Sequence, residues 1–288
     1  MLRLGLVGHG RWGSNIERTL KAFDDVALVH VSRAEPPILD LDGVLIATLS
    51  TTHAEVALPY IEAGIATFIE KPMTTSVADA QRLVAAANRS GAPVSVGHIF
   101  LHHPAFAALL RHLPRVGRIR HVEAQGMNDR PRNDASALWD WLPHHLSMGH
   151  AIFGRGPRAV AAWDLSDGAA CAARVAFDFD GTAMTCDVSW LSPVARSRLR
   201  VTGDAGWLEF DDKAADKLMF CDRDGATQRL AHAADLPLTC ELAAFLQVVR
   251  TRSQDRTELE LGLAIVRAIA AAEKSASAAG QSMDIGED

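Results

Sequence analysis

The chain has 288 residues, of which 48% are hydrophobic, and its formal net charge is −6. This length allows two domains, each with its own core. The acidic balance gives no electrostatic reason to expect nucleic acid or an anionic membrane as a partner.

Residues 1–97 alternate predicted strands and helices. The strands are predicted at Leu2–Val7, Val26–Val31, Val44–Thr48, Ala66–Ile69 and Val94–Val96. The helices are predicted at Ser14–Phe23, from a capping box at Thr52 to Gly64, and from Ser76 to Gly91. Apolar strands that alternate with helices indicate a parallel, doubly wound α/β sheet. Two prolines between the second and third strands, within Ala34–Gly43, predict a short or absent crossover helix there.

From residue 98 onward the pattern changes to short strands in series, which favours antiparallel pairing and an α+β domain. Strands are predicted at Ile119–Gly126, Arg158–Trp163, Ala172–Phe179, Met184–Trp190, Arg198–Thr202, Trp207–Phe210 and Lys217–Cys221. Helices are predicted at Pro104–Leu113, Pro143–Phe153, Leu238–Arg250 and Thr257–Ala278, the last with a capping box at Thr257.

The four cysteines, Cys171, Cys186, Cys221 and Cys240, form no C-x-x-C pair, so neither a zinc site nor a disulfide framework is indicated. The N-terminal residues are too short and glycine-broken for a signal peptide, and no run of about 18 apolar residues could span a bilayer. We therefore expect a soluble, cytoplasmic protein with buried thiols.

A glycine pattern, Gly8-x-Gly10-x-x-Gly13, follows the first strand and opens the first helix. In a dinucleotide turn the first glycine permits the tight bend, the second lets the backbone approach a pyrophosphate, and the third lets the helix pack on the sheet. Arg11 and Trp12 occupy the intervening positions and are included in the candidate cofactor site. The alternative is a glycine turn without a ligand.

The second strand ends in Val31-Ser32-Arg33, where NAD-preferring enzymes usually carry a carboxylate. A hydroxyl and a guanidinium suit a 2′-phosphate, so NADP is favoured over NAD as the cofactor. The alternative is that Arg33 is a solvated loop residue.

Lys71 stands in Glu70-Lys71-Pro72, at the carboxyl end of the fourth strand. Parallel α/β sheets bind their ligands at this edge, so Lys71 and the glycine turn are expected to open onto one crevice. Lys71 is therefore a candidate catalytic ammonium; the alternative is a surface lysine at a strand end.

These motifs resemble those of the Gfo/Idh/MocA oxidoreductase family over nearly the whole chain. The segments that carry the resemblance are Gly8–Gly13, Val44–Thr48 with His53, Glu70–Pro72, Val96–His98, Leu138–Asp140 with His144, Gly203–Gly206 and the two terminal helices. The resemblance implies a Rossmann domain at 1–97, followed at 98–288 by an α+β domain with a mostly antiparallel open sheet for substrate binding and oligomerisation. It also implies hydride transfer between NAD or NADP and a secondary hydroxyl or ketone of a sugar, nucleotide sugar or cyclitol.

By the same resemblance, Lys71, Asp140 and His144 are the catalytic residues. The cofactor residues are Gly8, Gly10, Arg11, Trp12, Gly13, Ser32, Arg33, Thr48, His53, Glu70 and Lys71. Ser147 and His145 stand where related proteins commonly carry aspartate, a departure that bears on the substrate more than on the chemistry.

His144 suits the role of general base because a histidine pKa lies near neutrality, and Lys71 suits the role of a cation beside a developing alkoxide. The two roles could be exchanged if burial lowered the pKa of Lys71. Asp140 would orient His144 or bind a substrate hydroxyl. Because Pro143 favours a first helical turn, Asp140 is expected just before the helix.

No metal site is expected from the six histidines His98, His102, His103, His144, His145 and His150. Trp139 and Trp141 suit either sugar stacking or core packing. Rival functions are a glycosidase that acts by transient oxidation with a tightly held NAD, a non-catalytic dinucleotide-binding sensor, and a reductase that uses the same site in reverse. A homodimer or homotetramer is expected, because Ala172–Phe179 and Met184–Trp190 are predicted to carry apolar residues on both faces.

Overall fold

The computed structural model describes residues 1–32 and 40–286, and the chain divides into two compact units. The first unit comprises Met1–Ile99 with Leu236–Val266, and the second comprises Phe100–Asp235 with Arg267–Asp288. The first break therefore lies two residues from the predicted boundary at residue 97. Residues 236–266, which the sequence analysis assigned to the second domain, belong to the first unit.

The first unit is built on a five-stranded, wholly parallel sheet with the order β2-β1-β3-β4-β5. Its strands are β1 (Leu2–Val7), β2 (Val26–Ser32), β3 (Gly43–Ile46), β4 (Ala66–Glu70) and β5 (Val94–Gly97). Its helices are α1 (Arg11–Leu20), α2 (His53–Glu62), α3 (Val77–Ser90), α6 (Pro237–Thr251) and the first turns of α7 (Thr257–Ser277). The predicted parallel α/β sheet is confirmed. The predicted lack of a crossover helix after β2 concerns residues that lie largely outside the described ranges.

Helix α6 returns to the first unit because its apolar face completes that unit's core. Phe245 of α6 meets Phe68 of β4 edge to face, with 5.6 Å between ring centroids. The same core contains Leu4, Leu6, Ile16, Leu20, Leu45, Ala66, Leu242, Leu246 and Val249. The local sequence pattern does not predict this packing, because its partners are far apart in the chain.

One of the three predicted caps is correct. Ser76 precedes α3, its hydroxyl accepts a backbone N–H at 3.3 Å, and Gly91 ends the helix at φ +73°. The capping boxes at Thr52 and Thr257 are wrong: the Thr52 side chain makes no capping hydrogen bond to α2, and Thr257 is the first residue of α7 and not the residue before it. Asp255 accepts the Thr257 N–H at 2.9 Å and takes the predicted place of the threonine.

The second unit is built on a nine-stranded sheet with the order β13-β12-β11-β10-β6-β9-β8-β7-β14. Its strands are β6 (Ile119–Met127), β7 (Ala159–Asp164), β8 (Ala172–Phe179), β9 (Thr182–Ser189), β10 (Arg196–Gly203), β11 (Gly206–Asp211), β12 (Leu218–Asp222), β13 (Thr227–Arg229) and β14 (Met283–Asp284). Strands β6 and β9 pair in parallel and the other neighbours pair antiparallel, so the mostly antiparallel sheet is confirmed. The short edge strands β13 and β14 were not predicted.

Helices α4 (Pro104–His112) and α5 (Ala137–Phe153) also belong to the second unit. Helix α5 starts six residues before the predicted position, so Asp140 lies in its first turn and Pro143 lies inside it. The prediction weighted the first-turn preference of proline. Eleven of the 17 residues of α5 are buried, and this packing outweighs the loss of one helical N–H.

Strands β8 and β9 were predicted to carry apolar residues on both faces, and on the second face this holds only for the alanines Ala172, Ala176 and Ala183. From Arg174 onward their burial alternates strictly, with Val175, Phe177 and Met184 inward. Arg174 and Asp187 are on the other face and form a 2.7 Å ion pair across the two strands. The oligomeric state remains a prediction that needs another basis.

Cys186 and Cys221 are buried, Cys171 and Cys240 are partly exposed, and no disulfide joins any pair among the described residues. Over the described ranges, none of the helices combines the length and the apolar character that crossing a bilayer requires.

Candidate functional site

The glycine turn joins β1 to α1, and each glycine has a different surrounding. Gly8 has φ +99°, and a Cβ built on it would lie 2.3 Å from the carbonyl carbon of Ala47. A Cβ on Gly13 would lie 2.0 Å from the carbonyl oxygen of Gly8. A Cβ on Gly10 would meet nothing within 4 Å. The turn is therefore closed at its two ends and open at its centre, as a turn that admits a pyrophosphate must be.

The N-terminus of α1 faces this opening with no acidic residue in its first turn. Gly10 is the N-cap and Arg11 is the first helical residue, and both are exposed. The free N–H groups and the helix dipole at such an end favour an anion. Arg11 adds a positive charge beside it.

Trp12 connects the glycine turn to the carboxyl end of β4. Its indole N–H donates a hydrogen bond to Glu70 Oε1, and the other carboxylate oxygen of Glu70 accepts the backbone N–H of Lys71 at 3.1 Å. Glu70 is 7% exposed. Gly97 pairs with Glu70 in the sheet, and a side chain there would come within 3.2 Å of the carboxylate. Lys71 and the turn are thus held together through one buried carboxylate.

His53 lies under the loops that follow β3 and β4, and is 1% exposed. Its Nδ1 lies 2.9 Å from the carbonyl oxygen of Pro72, and its Nε2 lies 3.3 Å from that of Thr48. Thr48 also accepts a hydrogen bond from Thr52 at 2.9 Å. His53 is therefore buried between the two loops and contacts the backbone of each.

Ser32 ends β2, and its carbonyl oxygen accepts the N–H of Gly8 at 2.9 Å. The Ser32 hydroxyl is buried and has no hydrogen-bond partner among the described residues. Arg33, the second residue predicted at the adenosine end, lies outside those residues.

In the second unit, Asp140 is held by two donors that the sequence analysis did not identify. The indole N–H of Trp190 donates to Asp140 Oδ2 at 3.1 Å, and Arg132 Nη1 lies 3.6 Å from Asp140 Oδ1. Arg132 also makes a two-pronged contact with Asp134, at 3.0 and 2.9 Å. The charged residues Arg130, Arg132 and Asp134, just before α5, were the feature of the sequence that could have indicated Arg132.

His144 lies one turn after Asp140 on α5, so the two side chains share one face of the helix. The imidazole packs edge to face against Phe100, with 4.9 Å between ring centroids, and lies 6.3 Å from Trp141. Aromatic walls of this kind fix the orientation of the imidazole.

The neighbours of His144 on the helix have structural roles. The Ser147 hydroxyl donates to the His144 carbonyl oxygen at 2.9 Å, so it is directed at the helix backbone. His145 is fully buried, and burial lowers the pKa of His145 to about 4. It is therefore a neutral core residue at ordinary pH, stacked near Trp141 at 6.5 Å.

Trp139 is buried in the core, whereas Trp141 is half-buried and covers Gly126, where a Cβ would come within 2.4 Å of the indole. His103 caps α4 by accepting the Ala105 N–H at 3.0 Å. Among the described residues, no group of three or more histidine, cysteine or acidic side chains is arranged to hold a metal ion.

The structure thus brings together two sets of predicted residues. In the first unit, Gly8, Trp12, Thr48, His53, Glu70 and Lys71 are linked by the contacts above. In the second unit, Asp140 and His144 share a helix face. The approach of Lys71 to Asp140 and His144 remains a prediction.

Two family models match the chain. One, described as an oxidoreductase family with an NAD-binding Rossmann fold, matches residues 32–98, and the other, the GFO/IDH/MocA C-terminal domain, matches residues 114–209. Together they cover more than half of the chain.

A crystal structure of a presumed oxidoreductase from Magnetospirillum magnetotacticum is 32% identical, covers 94% of this chain and 99% of its own, and superposes with a TM-score of 0.85. D-apiose dehydrogenase from Paraburkholderia graminis is 31% identical over 69% of this chain and 57% of its own length. UDP-N-acetylglucosamine 3-dehydrogenase from Acidithiobacillus ferrooxidans is 28% identical over 53% of this chain and 49% of its own length.

The matches to these two named dehydrogenases therefore span only about half of their length. The structural match extends over almost the entire chain, and both halves fit models of the same family. The chain belongs to the Gfo/Idh/MocA oxidoreductase family, and its first unit is an NAD-binding Rossmann fold.

Proposed function

We propose that the protein is an NAD(P)-dependent dehydrogenase that transfers hydride between the nicotinamide and a secondary hydroxyl of a sugar or nucleotide sugar. The observation that carries this proposal is the Trp12–Glu70 hydrogen bond, which joins the open glycine turn to Lys71 at one edge of a parallel sheet. A turn that only linked β1 to α1 would need no hydrogen bond to Glu70, which lies 58 residues after Trp12 and directly before Lys71.

The residues of the first unit fit a dinucleotide. The open position at Gly10 and the N-terminus of α1 suit a pyrophosphate, while the closed positions at Gly8 and Gly13 maintain the bend. When bound, the dinucleotide supplies the hydride acceptor or donor. Lys71, tied to the turn through Glu70, would lie toward the nicotinamide end.

The proton chemistry would be performed by Lys71 and His144. Oxidation of an alcohol requires a base for the hydroxyl proton and a positive group beside the developing alkoxide. His144 is proposed as the base and Lys71 as the cation. Asp140, held by Trp190 and Arg132, is better placed to orient His144 or a substrate hydroxyl than to move a proton itself.

The substrate class follows from the relatives. Both named dehydrogenases take their names from carbohydrates, one a free sugar and one a nucleotide sugar. Asp140 and the half-buried face of Trp141 are the kind of groups that bind hydroxyls and sugar rings. We therefore propose a carbohydrate substrate that presents a secondary hydroxyl.

We further propose that NADP is preferred to NAD. The strand end Val31-Ser32-Arg33 has no carboxylate to bind a ribose 2′-hydroxyl, and an arginine suits a 2′-phosphate. The buried hydroxyl of Ser32, which has no hydrogen-bond partner within residues 1–32 and 40–286, supports an additional hydrogen bond at this end.

A homodimer or homotetramer is also proposed, on a basis different from the face of β8 and β9. Four large apolar side chains of the second unit are strongly exposed: Trp163, Leu165, Leu191 and Val194. They follow or end β7 and β9, whose last residues lie at the same end of the sheet. Such a patch is typical of a surface that a second subunit covers.

The test is a matrix of NAD and NADP against nucleotide sugars, free sugars and cyclitols, with nicotinamide absorbance as the readout. We expect at least one carbohydrate to reduce the cofactor in wild-type protein and not in Lys71→Ala. Cofactor that binds but is never reduced or oxidised by any carbohydrate would favour the sensor. Turnover with retained cofactor and a cleaved glycosidic bond would favour the glycosidase.

A further inference from the structure

Glu241 is a buried carboxyl group for which the proposed reaction has no use. It belongs to α6 in the first unit and is 2% exposed. Both of its carboxyl oxygens are buried, and neither has a hydrogen-bond partner among the described residues. A charged carboxylate without donors is strongly disfavoured in such a place, so a group there retains its proton.

The position of Glu241 relates it to the glycine turn. Phe68 of β4 packs on Phe245 of α6. Glu70 lies two residues after Phe68 and therefore on the same face of β4, while Glu241 lies one turn before Phe245 and on the same face of α6. Glu70 and Glu241 thus lie on the two faces, one of β4 and one of α6, that pack together at Phe68 and Phe245.

Two charged groups face Glu241, Glu70 from β4 and Glu258 from the first turn of α7. Burial raises the pKa of Glu241 well above its ordinary value, and the charges of Glu70 and Glu258 raise it further. Burial also raises the pKa of Glu258, but hydrogen bonds from Ser95 and from the backbone N–H of Val96 oppose that rise.

The three glutamates differ in the donors available to them. Glu70 accepts hydrogen bonds from Trp12 and from the Lys71 backbone, and Glu258 accepts them from the segment around Ser95. Donors of this kind stabilise the ionised form of a carboxyl group. Of the three, Glu241 is the one whose two carboxyl oxygens are both buried without a hydrogen-bond donor among the described residues.

We propose that Glu241 is a positioning residue for the dinucleotide turn: as a neutral acid it leaves Glu70 as the charged acceptor that holds Trp12. The inference rests on the proposed dinucleotide site. A second charge at Glu241 would repel the Glu70 carboxylate within the protein interior, and the Trp12 contact would weaken. Helix α6 thereby affects the cofactor turn through Glu70.

The test compares thermal unfolding of the wild type and Glu241→Gln from pH 5 to pH 8, without cofactor. A group whose folded pKa is raised contributes stability below its unfolded pKa and loses it as pH rises. The unfolding constant of wild type relative to Glu241→Gln should therefore grow about tenfold per pH unit above the ordinary glutamate pKa. Glu260→Gln, at an exposed position of α7, is the matched control and should give a difference that does not change with pH.

A pH-independent difference between wild type and Glu241→Gln would overturn the inference, since a merely structural role predicts that result. If the glutamine does not fit, Glu241→Met removes the same proton with similar side-chain volume and gives the same test. The link to the turn is tested by repeating the comparison of Glu241 with Glu241→Gln in a Trp12→Phe background. Without the Trp12 donor, Glu70 holds its charge less strongly and repels a charge at Glu241 less, so the pH dependence of the stability difference should shrink. An unchanged pH dependence in that background would overturn the link.

Dinucleotide affinity completes the experiment. Glu241→Gln should bind NADP or NAD with a Kd within about twofold of wild type at pH 7, because the glutamine is as neutral as the acid it replaces. A Kd that rises tenfold or more would overturn the inference. If the wild type itself bound neither cofactor, the proposed function would fail, whereas the unfolding data would still decide whether Glu241 carries a proton.

Discussion

The substitutions Gly10→Ala and Gly13→Ala add the same methyl group at two positions of one turn and should affect different properties, ligand binding in the first case and stability in the second. At Gly10 the added Cβ meets nothing within 4 Å, and the opening it enters is the one proposed for the pyrophosphate. At Gly13 the added Cβ would lie 2.0 Å from the Gly8 carbonyl oxygen. One change should therefore block the ligand, and the other should disturb the fold.

The expected magnitudes follow from these distances. Real Cβ contacts are essentially never below 3.0 Å, so Gly13→Ala requires a displacement of about 1 Å between two backbone segments. Overpacking of this kind typically costs about 1–3 kcal/mol, which corresponds to roughly 2–12 °C in Tm for a chain of this size. Gly10→Ala loses only the glycine preference at an N-cap, worth about 1 kcal/mol or less.

Differential scanning calorimetry and a fluorescence titration of NAD and NADP measure the two effects separately. We expect Gly10→Ala to raise Kd at least about tenfold, equivalent to about 1.4 kcal/mol, with a small change in Tm. Gly13→Ala should lower Tm clearly. Wild-type cofactor affinity in Gly10→Ala would refute the assignment of this opening to the pyrophosphate.

Three further outcomes are expected. Trp12→Phe retains the aromatic packing but removes the donor to the buried Glu70. The free energy of unfolding should therefore fall by about 1–3 kcal/mol in denaturant titrations, and the Kd for the dinucleotide should rise. Unchanged stability and affinity would show that the hydrogen bond has no role. Burial alone would raise the pKa of Asp212, but hydrogen bonds from His103 and Lys213, with the charges of Lys213 and Lys217, hold the pKa of Asp212 well below its ordinary value. The stability that this carboxylate contributes is therefore present above its unfolded pKa of about 3.9 and is lost as pH falls below it. Asp212→Asn should destabilise the protein by about 1–3 kcal/mol at pH 7 and by progressively less in acid. An equal loss of stability at pH 7 and in acid would contradict the ionic role. Light scattering should detect a dimer or tetramer, and Leu165→Glu with Leu191→Glu should dissociate it; a wild-type monomer at micromolar concentration would contradict the proposed interface.

The parts of the fold that depend on local pattern were predictable from the sequence. The strand β1 has the predicted bounds, and the glycine spacing identified a turn whose three positions differ as the motif requires. The Ser76 cap and the Gly91 stop were also readable, because a helix terminus is determined within a few residues.

The parts that depend on distant contacts were not predictable. Pro143 was interpreted as a helix start because its neighbours in the tertiary structure, which bury most of α5, are not visible in the local pattern. The donors to Asp140 come from Arg132, in the loop before α5, and from Trp190, 50 residues later. The return of α6 to the first unit depends on contacts such as that of Phe245 with Phe68, nearly 180 residues apart.

The same limit applies to the predicted site. The motif around Lys71 indicated a catalytic lysine, but nothing adjacent in sequence indicated that Trp12 would bind Glu70, 58 residues away. His53 is predicted as a cofactor residue, and its contacts with the backbone carbonyl oxygens of Pro72 and Thr48 were not visible in the sequence. Glu241 lies in an amphipathic helix and has no motif to mark it.

The most direct test of the central claim measures kcat and dinucleotide Kd together for wild type, Lys71→Ala, His144→Ala and Asp140→Asn, with a carbohydrate substrate identified by the absorbance screen. The account predicts that Lys71→Ala and His144→Ala each lower kcat by about 10²–10⁴-fold while Kd remains within about twofold, because both groups act on charge or a proton that moves only in the transition state. Asp140→Asn should lower kcat less, since it orients other groups. If Lys71→Ala or His144→Ala retained wild-type kcat, the proposed catalytic centre would be contradicted.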